Sequence, residues 1–86
     1  MNSTILIVDD EPDVTVYLQK RLDSLGYNVI TASDGQEGLQ KAFQAKPELI
    51  LLDIMMPKKD GLATFKELRA AEATRDIPVI MLTARG

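Results

Sequence analysis

Three carboxylates in this chain stand at the ends of apolar runs. Asp9 and Asp10 close "ILIVDD", and Asp53 closes "LILLD". If the two runs lie side by side, the three acids meet at one edge. Like charges that close repel, so such a cluster holds a cation or holds protons. The sequence has no histidine and no cysteine, which removes thiolate and imidazole metal sites, histidine-based triads and a cysteine nucleophile. Any metal must then be bound by oxygen, which points to a hard cation: Mg²⁺, Mn²⁺ or Ca²⁺. Mg²⁺ fits best, because it takes one or two carboxylates, several waters and a phosphate oxygen. A further apolar run, "VIML", ends in Thr83, whose hydroxyl could donate to a phosphate-like oxygen, as could the backbone N–H of Ala84. Acids, a hard cation and neutral donors around a carboxylate nucleophile, Asp53, describe phosphoryl acceptance on aspartate.

Each residue alone has a plainer reading. Asp9 and Asp10 suit a helix start, where the dipole favours acids. Asp53 could be a solvated strand end and Thr83 a turn hydroxyl. Lys58 and Lys59 read as a solvated loop pair, and Met55 and Met56 as packing. Their agreement on one edge favours the chemical reading.

The elements that must position these residues follow from the pattern. "TILIV" (4–8), "NVITA" (28–32), "LILL" (49–52) and "IPVIML" (77–82) are short, apolar and rich in β-branched residues, as buried strands are. Pro12 suits the first turn of a helix. Val14, Leu18, Leu22 and Leu25 then share one helical face, and Gly26 ends it. Ser33 is a candidate cap for a second helix, with Gln36 at the capping-box position and an apolar face of Leu39, Ala42 and Phe43 up to Pro47. Asp60 is a candidate cap for a third helix, with Leu62, Phe65 and Leu68 on its buried side. Strands and helices alternate strictly, and the strands are apolar throughout. The expected fold is α/β: one parallel sheet with helices on both faces. Ligands in such sheets sit at the carboxyl ends of the strands, near the point where strand order reverses, and that is where the acids fall.

The chain has 86 residues, enough for one small domain, with 45% hydrophobic and 27% charged residues. That is ordinary globular composition. The net charge is −3 and there is no basic stripe, so no nucleic-acid binding is expected of this segment. No apolar run approaches the roughly 20 residues that span a bilayer. The N-terminus lacks a basic region before its short apolar run, so no signal peptide is expected and a cytoplasmic location is.

"ILIVDDEPDV", "LILLDIMMPKKDG" and "VIMLTA" together resemble the receiver domains of bacterial two-component response regulators, and "DGQEGL" is similar to the start of that family's second helix. The resemblance covers essentially the whole chain in order and spacing. It implies a flavodoxin-like sheet of order 2-1-3-4, with a fifth strand beside the fourth in complete members. It implies that Asp53 is the phospho-acceptor, Asp10 a direct Mg²⁺ ligand and Asp9 a ligand through water. Met55 would lend its backbone carbonyl to the metal. Thr83 would be the switch hydroxyl and Ala84 a backbone donor to the phosphoryl group. Pro57 and Gly61 would shape the loop. The implied donor is a phosphohistidine on a separate histidine kinase, meeting Asp13, Val14 and Tyr17 on the first helix; Val14 and Tyr17 could instead pack inward.

The sequence departs from the family after "TARG", where a complete receiver continues through a fourth helix, a fifth strand bearing a site lysine, and a fifth helix. Impaired activity is therefore expected of these 86 residues. A homo-oligomer is also expected, through the edge of the fourth strand (Val79, Ile80, Met81, Leu82) or the sheet face beside the first helix. Two alternatives stay open. One is an interaction or oligomerisation module that is not phosphorylated. The other is a Mg²⁺-dependent phosphatase of the haloacid-dehalogenase type, which wants a second acid where Met55 stands. The favoured reading is a phospho-acceptor, not an enzyme acting on free substrates.

Overall fold

The computed structural model describes residues 3–54 and 60–82. Among the described residues seven elements follow one another: β1 (Thr4–Val8), α1 (Pro12–Ser24), β2 (Asn28–Ala32), α2 (Gly35–Ala45), β3 (Leu49–Asp53), α3 (Gly61–Ala70) and β4 (Val79–Leu82). The four strands form one parallel sheet in the order β2-β1-β3-β4, as the resemblance implies. The chain steps from β1 outward to β2, then back across β1 to β3 and on to β4. Right-handed crossovers therefore put α1 on one face and α2 and α3 on the other.

Alternate strand residues point to opposite faces, and the two faces differ. Leu6, Val8, Ala32, Ile50 and Leu52 join Leu39 and Ala42 of α2 and Leu68 of α3 in the buried core. On the other face Ile5 and Ile7 are buried, while Leu51 and Leu82 are half-buried and Ile80 is 52% exposed. Burial falls off with distance from α1, which lies against β1 and β2. Consistent with that, no α1 residue is fully buried.

Local chemistry sets the helix limits. Pro12 occupies the first turn of α1. At its end the Gly26 N–H donates to the Asp23 carbonyl (3.0 Å) and the Tyr27 N–H to that of Leu22 (3.1 Å). Gly26 takes φ +96°, the left-handed conformation this Schellman stop requires. Asp60 caps α3, its carboxylate accepting from the Ala63 N–H at 2.8 Å.

The structure corrects six sequence expectations. The cap of α2 is Asp34, not Ser33: Asp34 Oδ1 accepts from the Glu37 N–H at 2.9 Å. Glu37, not Gln36, reaches back over the helix start: its carboxylate accepts from both the N–H and the hydroxyl of Ser33, the residue before the cap, and charge-assisted bonds are the stronger kind. On α3 the buried side is Gly61, Thr64 and Leu68, with Phe65 partly buried, while Leu62 is 54% exposed. The helix is turned so that Gly61 meets the tip of β3. Phe43 and Leu25 are also exposed, Leu25 because it lies beyond the last turn of α1. The fourth strand begins at Val79, not Ile77. The Ile77 N–H turns back to the Thr74 carbonyl (3.1 Å), and Pro78, with no N–H to give, offers only its carbonyl to the Ile50 N–H (3.0 Å).

Candidate functional site

β1 and β3 are neighbours with Val8 beside Leu52, so the residues that follow, Asp9 and Asp53, emerge together at the carboxyl edge. One carboxylate oxygen from each of Asp9, Asp10 and Asp53 lies within 4.8 Å of the other two. Asp9 is 4% exposed and Asp53 1%; Asp10 is half-buried. Two ionised carboxylates at that spacing repel by about 3 kcal/mol even at an effective dielectric near 20. The fold brings three such groups together, two of them largely out of water.

The surrounding backbone holds the acids in place. The Asp9 N–H donates to the Ala32 carbonyl at 3.0 Å, tying the end of β1 to the end of β2. Asp9 Oδ1 accepts from the Glu11 N–H at 2.9 Å, which shapes the entry to α1. On the other side, the Gly61 N–H donates to the Ile54 carbonyl at 3.2 Å. A Cβ at Gly61 would run into Ile54 Cα and the Asp53 carbonyl, so only glycine lets the start of α3 rest on the tip of β3. Gly38 does the same for α2: a Cβ there would stand 2.9 Å from Val8 Cγ2.

Two clefts open beside the acids. One, of about 460 Å³, lies on the α1 face, with Asp9 and Asp53 at one end and Val14, Tyr17, Leu18 and Leu82 as apolar walls. The other, of about 370 Å³, lies between the start of α1 and the β2–α2 junction and includes Asp9, Asp10, Ser33, Glu37 and Lys41. Glu37 has its carboxyl held below the usual range, first by the backbone N–H of Ser33, then by the Ser33 hydroxyl, with Lys41 adding to it.

The donor set fits a hard divalent cation. It is all oxygen, it is anionic, and its atoms are close enough to share one ion. Of the residues expected from sequence, the structure brings Asp9, Asp10 and Asp53 together and puts Gly61 against Asp53. Asp13 is exposed and Tyr17 is 62% exposed, so Tyr17 does not pack inward; Val14 is half-buried. Met55, Met56, Pro57, Lys58, Lys59, Thr83 and Ala84 lie outside the described residues. Sequence reasoning took Ser33 only as a helix cap and missed Glu37 and Lys41. Their one signal was the four-residue spacing of Glu37 and Lys41, which suits an ion pair on any exposed helix face.

The response regulator receiver domain family matches residues 5–86. The chain belongs to this family. It is 51% identical over 85 residues to the alkaline phosphatase synthesis transcriptional regulatory protein PhoP of Bacillus subtilis, covering 99% of this chain and 35% of that protein. The receiver domain thus spans about a third of the length of such relatives. Among solved structures, the response regulator TrrA of Thermotoga maritima, in complex with Mg²⁺-BeF, superposes with a TM-score of 0.89 at 40% identity, over 100% of this chain and 72% of that one. The receiver domain of a Pseudomonas aeruginosa sensor histidine kinase, with a magnesium ion coordinated in its active-site cleft, superposes with a TM-score of 0.93 at 35% identity, over 99% of this chain and 70% of that one. This receiver domain is therefore a module of two-component signalling. Among its described residues no helix is long and apolar enough to cross a membrane.

Proposed function

We propose that Asp53 accepts a phosphoryl group from a phosphohistidine on a separate histidine kinase, with Mg²⁺ held by Asp9, Asp10 and Asp53. The observation that carries this is the meeting of three carboxylates within 4.8 Å at one sheet edge. When bound, Mg²⁺ would offset the negative charge of these acids and of the incoming phosphoryl oxygens. A carboxylate oxygen of Asp53 attacks phosphorus, the P–N bond to the donor imidazole breaks, and the nitrogen keeps the electron pair. The product is an acyl phosphate on Asp53. Asp9, whose N–H donates to the Ala32 carbonyl and whose carboxylate accepts from the Glu11 N–H, holds its position while charge moves at Asp53. Gly61 keeps the tip of β3 pressed against α3, which fixes where the nucleophile stands.

The magnesium and beryllofluoride sites of the two structural neighbours support this reading. The exposed Tyr17 and Asp13 on α1, at the mouth of the cleft that Asp53 closes, are the proposed surface for the kinase. The domain acts as a phospho-acceptor in the cytoplasm, not as an enzyme on free substrates. Self-association through β4 is a second property we propose, supported by its outermost place among the described strands and by the exposure of Ile80. Incubation with a small acyl phosphate and Mg²⁺ tests the function. One covalent phosphoryl group per chain is expected. Catalytic turnover of phosphomonoesters would favour a phosphatase instead, and no reaction would favour an interaction module.

A further inference from the structure

Lys41 and Glu37 stand one turn apart on α2 and reach the tip of β2, which among the described strands is an outer one paired with β1. Lys41 Nζ donates to the Thr31 carbonyl at 2.5 Å and pairs with Glu37 Oε2 at 3.2 Å. Glu37 Oε1 accepts from the Ser33 N–H at 2.7 Å and from Ser33 Oγ at 3.0 Å. The residues on both sides of Ala32 are thus held from α2. The Ala32 carbonyl between them is the acceptor for the Asp9 N–H. A lysine beside an outer strand has a simpler use, blocking pairing with another chain. That use needs only Lys41. It does not call for Glu37 to take both donors of Ser33, nor for Lys41, Glu37 and Ser33 to share one cleft with Asp9 and Asp10.

We infer that Lys41 and Glu37 are positioning residues for the metal-binding acids: through Thr31 and Ser33 they fix the Ala32 carbonyl, which fixes Asp9. This rests on the reading of Asp9, Asp10 and Asp53 as a Mg²⁺ site. The sign of one substitution separates position from charge. Lys41 is a cation in the cleft of the acids, so acting through charge alone it opposes a second cation, and its removal would tighten Mg²⁺ binding. Acting through position, its removal weakens binding.

The experiment is a Mg²⁺ titration of the protein followed by amide NMR, for the unchanged protein, Lys41→Met, Lys41→Arg and, as a control, Lys66→Met on the exposed side of α3. Groups bonded directly to a metal ligand's side chain change affinity by about 10–100-fold when removed; these act one step further out, so Lys41→Met is expected to weaken Mg²⁺ about three- to tenfold. Hydrogen exchange at the Asp9 amide, measured without metal, should quicken in Lys41→Met. Lys41→Arg should restore both readouts to within about twofold, and Lys66→Met should change neither. If Lys41→Met does not fold, Ser33→Ala, an exposed and uncharged change, decides the matter, with about two- to threefold weaker binding expected. Equal or tighter Mg²⁺ binding in the variant that folds overturns the inference alone. No Mg²⁺ binding by the unchanged protein overturns the site reading, and this inference with it.

Discussion

Replacing Gly61 with alanine should destabilise the protein, although by local rules it should do the opposite. Gly61 opens α3 and is not among the described glycines with positive φ, so alanine can adopt its backbone. In a helix, alanine is favoured over glycine by about 1 kcal/mol, partly by restricting the unfolded chain. Against that stands the contact. The new Cβ would come within 3.0 Å of Ile54 Cα and of the carbonyl carbon and oxygen of Asp53. These are backbone atoms, and no rotamer change can move them aside. Overpacking costs about 1–3 kcal/mol, and a backbone clash belongs at the upper end. The net effect is a loss of about 1–2 kcal/mol, or roughly 5–15 °C in Tm for a domain of this size. Thermal unfolding followed by far-UV circular dichroism measures it. Mg²⁺ affinity should fall as well, because relief of the clash moves the tip of β3 and Asp53 with it. A Gly61→Ala protein as stable as the original, or more stable, would show that α3 does not rest on Asp53 and Ile54.

Thr74 is fully buried and its hydroxyl donates to the Leu68 carbonyl at 2.7 Å, so Thr74→Val should cost about 1–2 kcal/mol in urea unfolding, with the denaturant slope unchanged. Glu37 has a folded pKa below its ordinary 4.5; its contribution to stability is present above that value and is lost as pH falls through the lowered one. Unfolding free energies measured from about pH 6 downward should therefore fall less steeply below about pH 4.5 in Glu37→Gln than in the unchanged protein. Self-association at micromolar concentration, read by sedimentation, should be weakened by Ile80→Lys on the outer strand, and a strictly monomeric unchanged protein would count against association through β4.

The strands were the most legible part of the sequence. Buried parallel strands are unbroken apolar runs, and four such runs appear at the right lengths. The acids were legible for the same reason, since each interrupts a pattern that otherwise has no charge in it. Gly26 could be read as a helix stop because few residues accept its φ. The phase of α3 could not be read. Leu62 looks like a core residue by spacing, and what turns it outward is the contact of Gly61 with β3, a tertiary fact. The cap of α2 was ambiguous by one residue because Ser33 and Asp34 are both good caps, and the choice falls to whichever frame puts a carboxylate at the third position. The reach of Lys41 to the Thr31 carbonyl was also hidden: the Glu37–Lys41 spacing is visible, but not the strand edge beside it.

Asp53 is the residue on which a phosphoryl group is expected. Peptide mapping by mass spectrometry after treatment with an acyl phosphate, with Mg²⁺ and with a chelator, reads it directly. The expected result is a single phosphoryl group on Asp53, formed with Mg²⁺, strongly reduced by the chelator or by Asp10→Ala, and absent from Asp53→Asn. A phosphoryl group on Asp9 or Asp10, or one that persists in Asp53→Asn, would contradict the assignment of Asp53 as the acceptor.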